Sequence, residues 1–273
     1  MTYVMPKRTR EQAFSLMCRV KKVPISEEGK IFFDQGRTDY INVDGKQTAI
    51  HRWGSGPKKL LFLHGWMSHS QRWRTYVNSL DLSQYTCYAI DAPGHGSSEG
   101  TMLNLEIYRQ ALAQTLDRIE KVDVLVAHSL GNLVTAYQYL YQPDDRVGAY
   151  VIMGSPSGMD AIFQYFKDTL GLSRPMLRNL AVKIREVLKI NPEHVAMKRF
   201  FEQNQSPKLV IHERTDPITP YGPISYAVSQ VGGLKLMTTE GLDHTLKSPE
   251  VQQEVINFIK EHSKSSAYVL ERV

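Results

Sequence analysis

Two serines in this chain stand in a pattern that could make a hydroxyl nucleophile. "GSSEG" at 96–100 satisfies G-x-S-x-G around Ser98, whereas "AHSLG" at 127–131 has Ala127 in place of the first glycine. A serine attacks a carbonyl only when its hydroxyl is thrust forward on a sharp, strained turn between a strand and a helix. The residues two positions away on either side must then be small. Ser129 meets that requirement. The apolar run "VDVLVA" leads straight into His128-Ser129-Leu130, "GNLVTAYQYLY" follows with helical character, and Ala127 and Gly131 are the small neighbours. Ser98 lies eight residues after Ile90 in "DAPGHGSSEG", with the next helical pattern only near Asn104. It is expected on a flexible surface loop, so acyl transfer is assigned to Ser129.

A serine needs a base, and the base needs an acid to orient it. Of nine histidines, His244 in "EGLDHTLKSPE" is placed on a loop between the last strand pattern and the C-terminal helix. The acid is read as Asp216 in "HERTDPITP", on a loop fixed by Pro217 and Pro220. Asp243 adjoins His244 and is badly placed to reach its ring, and Asp160 is the other candidate. The developing oxyanion needs backbone donors. The Leu130 N–H, at a helix start, is one. The Trp66 N–H in "LFLHGWMSHSQRW" is the other, with Gly65 letting the chain bend and His64 supporting the loop. His69 and His95 are read as structural. The substrate pocket is expected to involve Trp66, Met67, His128, Phe163 and Phe166. No HExxH motif or cysteine pair is present, so no metal and no cofactor is expected.

The elements that must position these groups are legible as alternating patterns. Strands are expected at 38–43, 46–53, 59–64, 85–90, 122–127, 147–153, 208–213 and 234–239. "DG" at 44–45 marks a hairpin between the first two. The later runs are almost continuously apolar, as strands covered on both faces are. Helical patterns at 103–120, 132–142 and 249–262 lie between or after them, the last with Ser248 as N-cap and Pro249 in its first turn. From about 157 to 206 no strand pattern occurs, and three helical pieces fit: 159–171, 174–189 and 192–203. The organisation expected is an N-terminal extension (1–30), a core (31–156 and 207–263) interrupted by a helical cap (157–206), and a C-terminal tail (264–273).

With "HGW" at 64–66, "DAPGHGSS" at 91–98, "AHSLGN" at 127–132, "HERTDPITP" at 212–220 and "GLDH" at 241–244, the chain resembles the α/β-hydrolase superfamily. Within it the chain is similar to capped serine hydrolases of esterase and lipase type. The resemblance implies an α/β-hydrolase fold: a mostly parallel eight-stranded sheet flanked by helices, with a small helical cap. It implies the chain order nucleophile, acid, histidine, which Ser129, Asp216 and His244 follow. It also marks "DAPGHGSS" as a structural loop. Ala127 departs from the usual glycine, and a methyl there still permits close approach. Superfamily members that attack with aspartate, the epoxide hydrolases and haloalkane dehalogenases, are set apart by Ser129. The expected activity is hydrolysis of small to medium, largely apolar carboxylic esters. Cleavage of a carbon–carbon bond in a vinylogous diketone and a ligand receptor on a hydrolase scaffold are the alternatives.

Composition narrows the classes further. Of 273 residues 42% are hydrophobic and 22% charged, which suits a globular chain with a large core. The formal net charge of +5 comes from mixed signs, with the densest basic clusters, "KRTR" and "RVKK", in the first 22 residues. No nucleic-acid-binding signature accompanies them. No apolar run approaches the roughly 18–20 residues of a membrane span, and the N-terminal stretch reads as neither signal peptide nor anchor. Two cysteines, Cys18 and Cys87, make no disulfide framework, and cytoplasmic location is the expectation. The expected partner is a small-molecule ester substrate, with no nucleic acid and with a homodimer left open.

Overall fold

The computed structural model describes residues 7–263; the expected tail at 264–273 lies outside them. Eight strands form one sheet: β1 (Arg37–Val43), β2 (Lys46–Gly54), β3 (Lys58–Leu63), β4 (Tyr85–Ile90), β5 (Val122–His128), β6 (Val147–Met153), β7 (Lys208–Glu213) and β8 (Lys235–Thr239). Their order is β1-β2-β4-β3-β5-β6-β7-β8. Only β2 runs against its neighbours, pairing antiparallel with β1 and β4. Asp44 and Gly45, with φ of 51° and 72°, make the tight turn that closes the β1–β2 hairpin.

Ten α-helices occur among the described residues: α1 (Lys7–Cys18), α2 (Glu27–Asp34), α3 (Arg74–Asn78), α4 (Leu105–Ile119), α5 (Leu130–Tyr141), α6 (Met159–Leu170), α7 (Arg174–Val187), α8 (Met197–Gln203), α9 (Tyr221–Ser229) and α10 (Pro249–His262). The central strands are buried along most of their length, so each contributes side chains to both faces. On one face Phe32, Trp53, Trp73 and Phe258 gather α2, α3 and α10. On the other, Tyr108, Leu112, Tyr137, Phe200 and Ile224 gather α4, α5, α8 and α9. Asn104 caps α4 by accepting from the Ile107 N–H, and Ser248 caps α10 by accepting from Val251. No described helix is long and apolar enough to cross a membrane.

The structure differs from the sequence expectation in helices α1, α2 and α3, which none of the patterns above include, and in further elements. The piece expected as one helix over 192–203 is a 3₁₀ turn at Pro192–His194 followed by α8. It breaks because Ala196 is extended, bridging to Gly158, and Met197 N–H bonds Ser157. The boundary expected at residue 30 falls inside α2. Helix α9, with Gly222 and Pro223 in its first turn, is also absent from the expected patterns.

Strand order reverses about β3, with β4 on one side and β5 on the other. In open α/β sheets the crevice beyond the carboxyl ends of strands at such a reversal is the place where ligands bind. Here β3 delivers His64-Gly65-Trp66 and β5 delivers Ser129 to that crevice.

Candidate active site

Ser129 is the single residue between the end of β5 and the start of α5. Its φ of 51° and ψ of −122° lie where non-glycine residues are strained by about 1–3 kcal/mol. Neighbouring bonds hold it there. Ser129 N–H donates to Met153 O (2.9 Å), Asn132 N–H to Ser129 O (3.0 Å), and Asn132 Nδ2 to Met153 O (2.8 Å). Close packing does the rest. A Cβ at Gly131 would lie 2.8 Å from Leu63 O, and one at Gly65 would lie 2.7 Å from Ser129 Cβ. Ala127 is buried in β5, and its methyl is accommodated in the core.

His244 Nε2 lies 2.9 Å from Ser129 Oγ, and its Nδ1 lies 2.7 Å from Asp216 Oδ2. An ionised carboxylate only accepts hydrogen bonds, so Nδ1 carries the proton and Nε2 is left to accept from the serine hydroxyl. Burial of Asp216 opposes its charge. The His244 bond, with N–H bonds from Thr219 (3.0 Å) and Ile218 (2.8 Å), outweighs that and holds the carboxyl down to about 2. Thr219 Oγ1 also donates to Asp216 Oδ2 at 2.8 Å, a contact sequence reasoning missed. The turn itself had a signal: an aspartate in a proline-bounded loop commonly accepts from the backbone N–H two residues on, as Asp216 does from Ile218. Asp160 is exposed in the first turn of α6, and exposed Asp243 bonds Thr245 instead.

Behind His244 lies a strut absent from the sequence reading. Arg72 Nη1 is 2.8 Å from His128 Nδ1, and Arg72 Nη2 donates to Thr245 O at 3.2 Å. A guanidinium only donates, so His128 Nδ1 accepts and its proton sits on Nε2, which donates to His244 O at 2.8 Å. Burial first, and the Arg72 charge second, push the His128 pKa well below the ordinary histidine value, which keeps it neutral. This corrects the expectation that His128 lines the pocket. Its two ring nitrogens are committed to Arg72 and to the His244 carbonyl.

The Trp66 and Leu130 N–H groups bond no partner among the described residues, and both residues border the same cavity as Ser129 and His244. Leu130 opens α5, where intrahelical acceptors are lacking and the dipole favours negative charge. The Trp66 loop is strapped from below. His64 Nδ1 donates to Gly65 O (2.7 Å), and its Nε2 accepts from the Ala92 N–H (2.9 Å). Burial pushes His64 down to about 3, so it stays neutral and able to accept. His95 Nε2 accepts from the Met67 N–H at 3.2 Å.

Ser98 is not on a flexible surface loop, which corrects that expectation. It is fully buried, donating to Asp91 O (2.5 Å) and accepting from the Ala49 N–H (2.8 Å). The Asp91 carboxylate accepts from Ser70 N–H, Ser97 N–H and His51 Nε2, which ties the loop after β4 to the sheet.

The cavity beside Ser129 measures about 530 Å³. Trp66, Met67 and Phe166 are among its lining residues, whereas Phe163 is not; its ring packs against the core. Residues of helices α6 and α7 line it, as do Ile218 and Thr219 beside the histidine. No group of three His, Cys, Asp or Glu side chains able to hold a metal ion occurs among the described residues.

Residues 60–250 match the profile of the Alpha/beta hydrolase family. Over 108 residues the chain is 34% identical to a pimeloyl-[acyl-carrier protein] methyl ester esterase of Edwardsiella ictaluri, covering 39% of this chain and only 40% of that relative's length. Over 244 residues it is 27% identical to the protein of the same name from Nitrosomonas europaea, covering 74% and 94%. Among solved structures, Est1E from Butyrivibrio proteoclasticus, bound to ferulic acid, superposes with a TM-score of 0.66 at 19% identity, covering 82% and 98%. At that identity the likeness speaks for the fold.

Proposed function

The chain belongs to the alpha/beta hydrolase family, and from that premise we propose that it is a serine esterase working through an acyl-enzyme on Ser129. The observation that carries this reading is the relay Ser129 Oγ–His244 Nε2–Asp216, with links of 2.9 and 2.7 Å, built at a strained strand-to-helix turn. His244 takes the Ser129 proton as Oγ attacks the ester carbonyl. The tetrahedral oxyanion accepts from the Trp66 and Leu130 N–H groups. The imidazolium, steadied by ionised Asp216, then gives its proton to the departing alcohol. A water activated by the same imidazole releases the acid and frees Ser129.

The helices between β6 and β7 act in this reading as a cap over the carboxyl ends of the strands, and the core comprises the flanking segments. The largely apolar wall suits esters with an apolar acyl or alkyl part, since such sites bind by burying apolar surface around a few polar anchors. Relatives named as methyl ester esterases support including methyl esters of acyl chains among the substrates. The test is hydrolysis of p-nitrophenyl and methyl esters by the wild type and Ser129→Ala. Turnover is expected in the wild type and a fall of at least about 10⁴-fold in the variant. Equal rates in the two proteins, or no ester cleaved by the wild type, would overturn the assignment.

A further inference from the structure

The N-terminal helix α1 lies outside the span matched by the family, yet it borders the same cavity as the catalytic serine. Its mooring is extensive. Arg10 pairs with Glu186 at 3.1 Å and Glu11 with Lys183 at 2.9 Å, which binds α1 along α7. Lys183 Nζ also sits 5.8 Å from the centre of the Phe14 ring. At and just past the end of the helix, Cys18 O accepts from Leu103 N–H and Val20 N–H donates to Thr101 O, both at 2.8 Å. Lys22 Nζ donates to Ser98 O at 2.6 Å. The segment is therefore stitched both to the cap helices and to the loop that precedes α4.

From α1, Phe14, Leu16, Met17 and Cys18 border the cavity, and since Leu16 is largely exposed, Phe14, Met17 and Cys18 form the inward part. Met17 and Cys18 are 8% and 3% exposed, buried in the main apolar cluster with Ile184 and Leu188. This section of the wall presents the Phe14 ring, the Met17 thioether and the Cys18 thiol, with Arg19 at its edge just past the helix, and it has no carboxylate. Burial of methylenes is what such a wall can reward. At about 530 Å³ the cavity far exceeds what an acetyl group needs, and it falls within the roughly 300–1,000 Å³ of small-molecule sites.

We propose that α1 forms a wall of the acyl subsite, with Phe14, Met17 and Cys18 setting the chain length accepted, and that the site takes an unbranched acyl chain of medium length. The proposal rests on the reading of Ser129 as the nucleophile. It places specificity on a segment that takes no part in the chemistry. Each methylene that reaches the wall then raises kcat/KM by about fourfold until the pocket is full.

The test is a series of p-nitrophenyl esters from acetate to laurate, with the wild type, Met17→Trp and Phe14→Ala as full-length proteins. Met17→Trp fills the subsite. It is expected to lower kcat/KM for octanoate and decanoate at least tenfold more than for acetate. Phe14→Ala enlarges the subsite and should shift the optimum to longer chains, and its half-buried position makes it the variant safer to fold. An unchanged chain-length profile in both variants, or an equal loss on acetate and decanoate, would overturn the proposal. If the wild type cleaves no ester, the esterase reading fails by itself. Calorimetric binding of decanoate then decides the wall: binding weakened at least tenfold by Met17→Trp sustains it, and no binding, or binding that Met17→Trp leaves unchanged, sinks it.

Discussion

At the scale of single residues, the two serines are separated by what their hydroxyls are already doing. Ser98 Oγ is engaged in both directions, by Asp91 O and by the Ala49 N–H, in a fully buried site. Ser98→Ala leaves that N–H and that carbonyl unpaired. It should cost about 1–3 kcal/mol of stability and leave kcat within a few-fold. Thermal melting beside esterase kinetics checks this, and a dead but fully stable Ser98→Ala protein would contradict it. Arg72 offers a second separation. It touches no reacting atom, and it holds His128 and the Thr245 carbonyl on either side of the His244 backbone. Arg72→Met should lower kcat about 10–100-fold through misplacement of the imidazole, with KM nearly unchanged. A change confined to KM would show that Arg72 serves binding instead. Ser129, His244 and Asp216, proposed as nucleophile, base and acid, could be singled out in the sequence because each combines a side-chain type with a local pattern, and in the fold they lie within hydrogen-bond distance of one another. The Arg72–His128 strut was not, because its partners come from positions 72, 128, 244 and 245, and no local spacing joins them.

At the scale of elements, catalysis as proposed depends on how closely β3, β5 and α5 approach. Gly131 lies where a Cβ would meet Leu63 O at 2.8 Å and His64 O at 3.0 Å, both backbone atoms that cannot swing aside. Gly131→Ala must push α5 away from β3, and the Leu130 N–H moves with it. Such overpacking typically costs about 1–3 kcal/mol. A lowered melting temperature together with a fall in kcat is expected, and an alanine variant that melts and turns over like the wild type would refute this account of the turn. The central strands were legible because burial on both faces writes a nearly continuous apolar run into them, whereas the largely exposed β1 was legible through the "DG" turn that joins it to β2. Helix α10 was equally plain, with Ser248 and Pro249 at its start. Helix α1 was not. Its sequence "KRTREQAFSLMC" carries no acidic residue in its first turn, and its anchors on α7 lie more than 150 residues away. Likewise the break at Ala196 follows from a bridge to Gly158, a pairing only the folded chain creates.

At the scale of the whole molecule, the loops around the serine are built on neutral histidines. His64, His69, His95, His128 and His212 are all buried, and burial is the largest cause that lowers the pKa of each. The folded state therefore keeps them unprotonated, whereas the unfolded chain protonates them near the ordinary value of about 6.5. Between that value and the depressed folded ones the unfolded state binds more protons, so unfolding becomes easier as pH falls. The stability these groups allow is complete above about pH 6.5 and is lost progressively below it, down to about 3 for His64. One unit below 6.5, each strongly depressed histidine lowers stability by about 1.4 kcal/mol. His64 and His128, the two pushed furthest down, together remove a substantial part of the about 5–15 kcal/mol that holds a domain folded. The melting temperature should hold between pH 7 and 8 and fall steeply from pH 6.5 to 5, well above the range where carboxylates titrate. A melting temperature unchanged from pH 8 to 5.5 would mean that the buried imidazoles gain protons without disturbing their bonds. That outcome is hard to reconcile with His64 Nε2 and His128 Nδ1, each of which accepts a hydrogen bond where a proton would have to go.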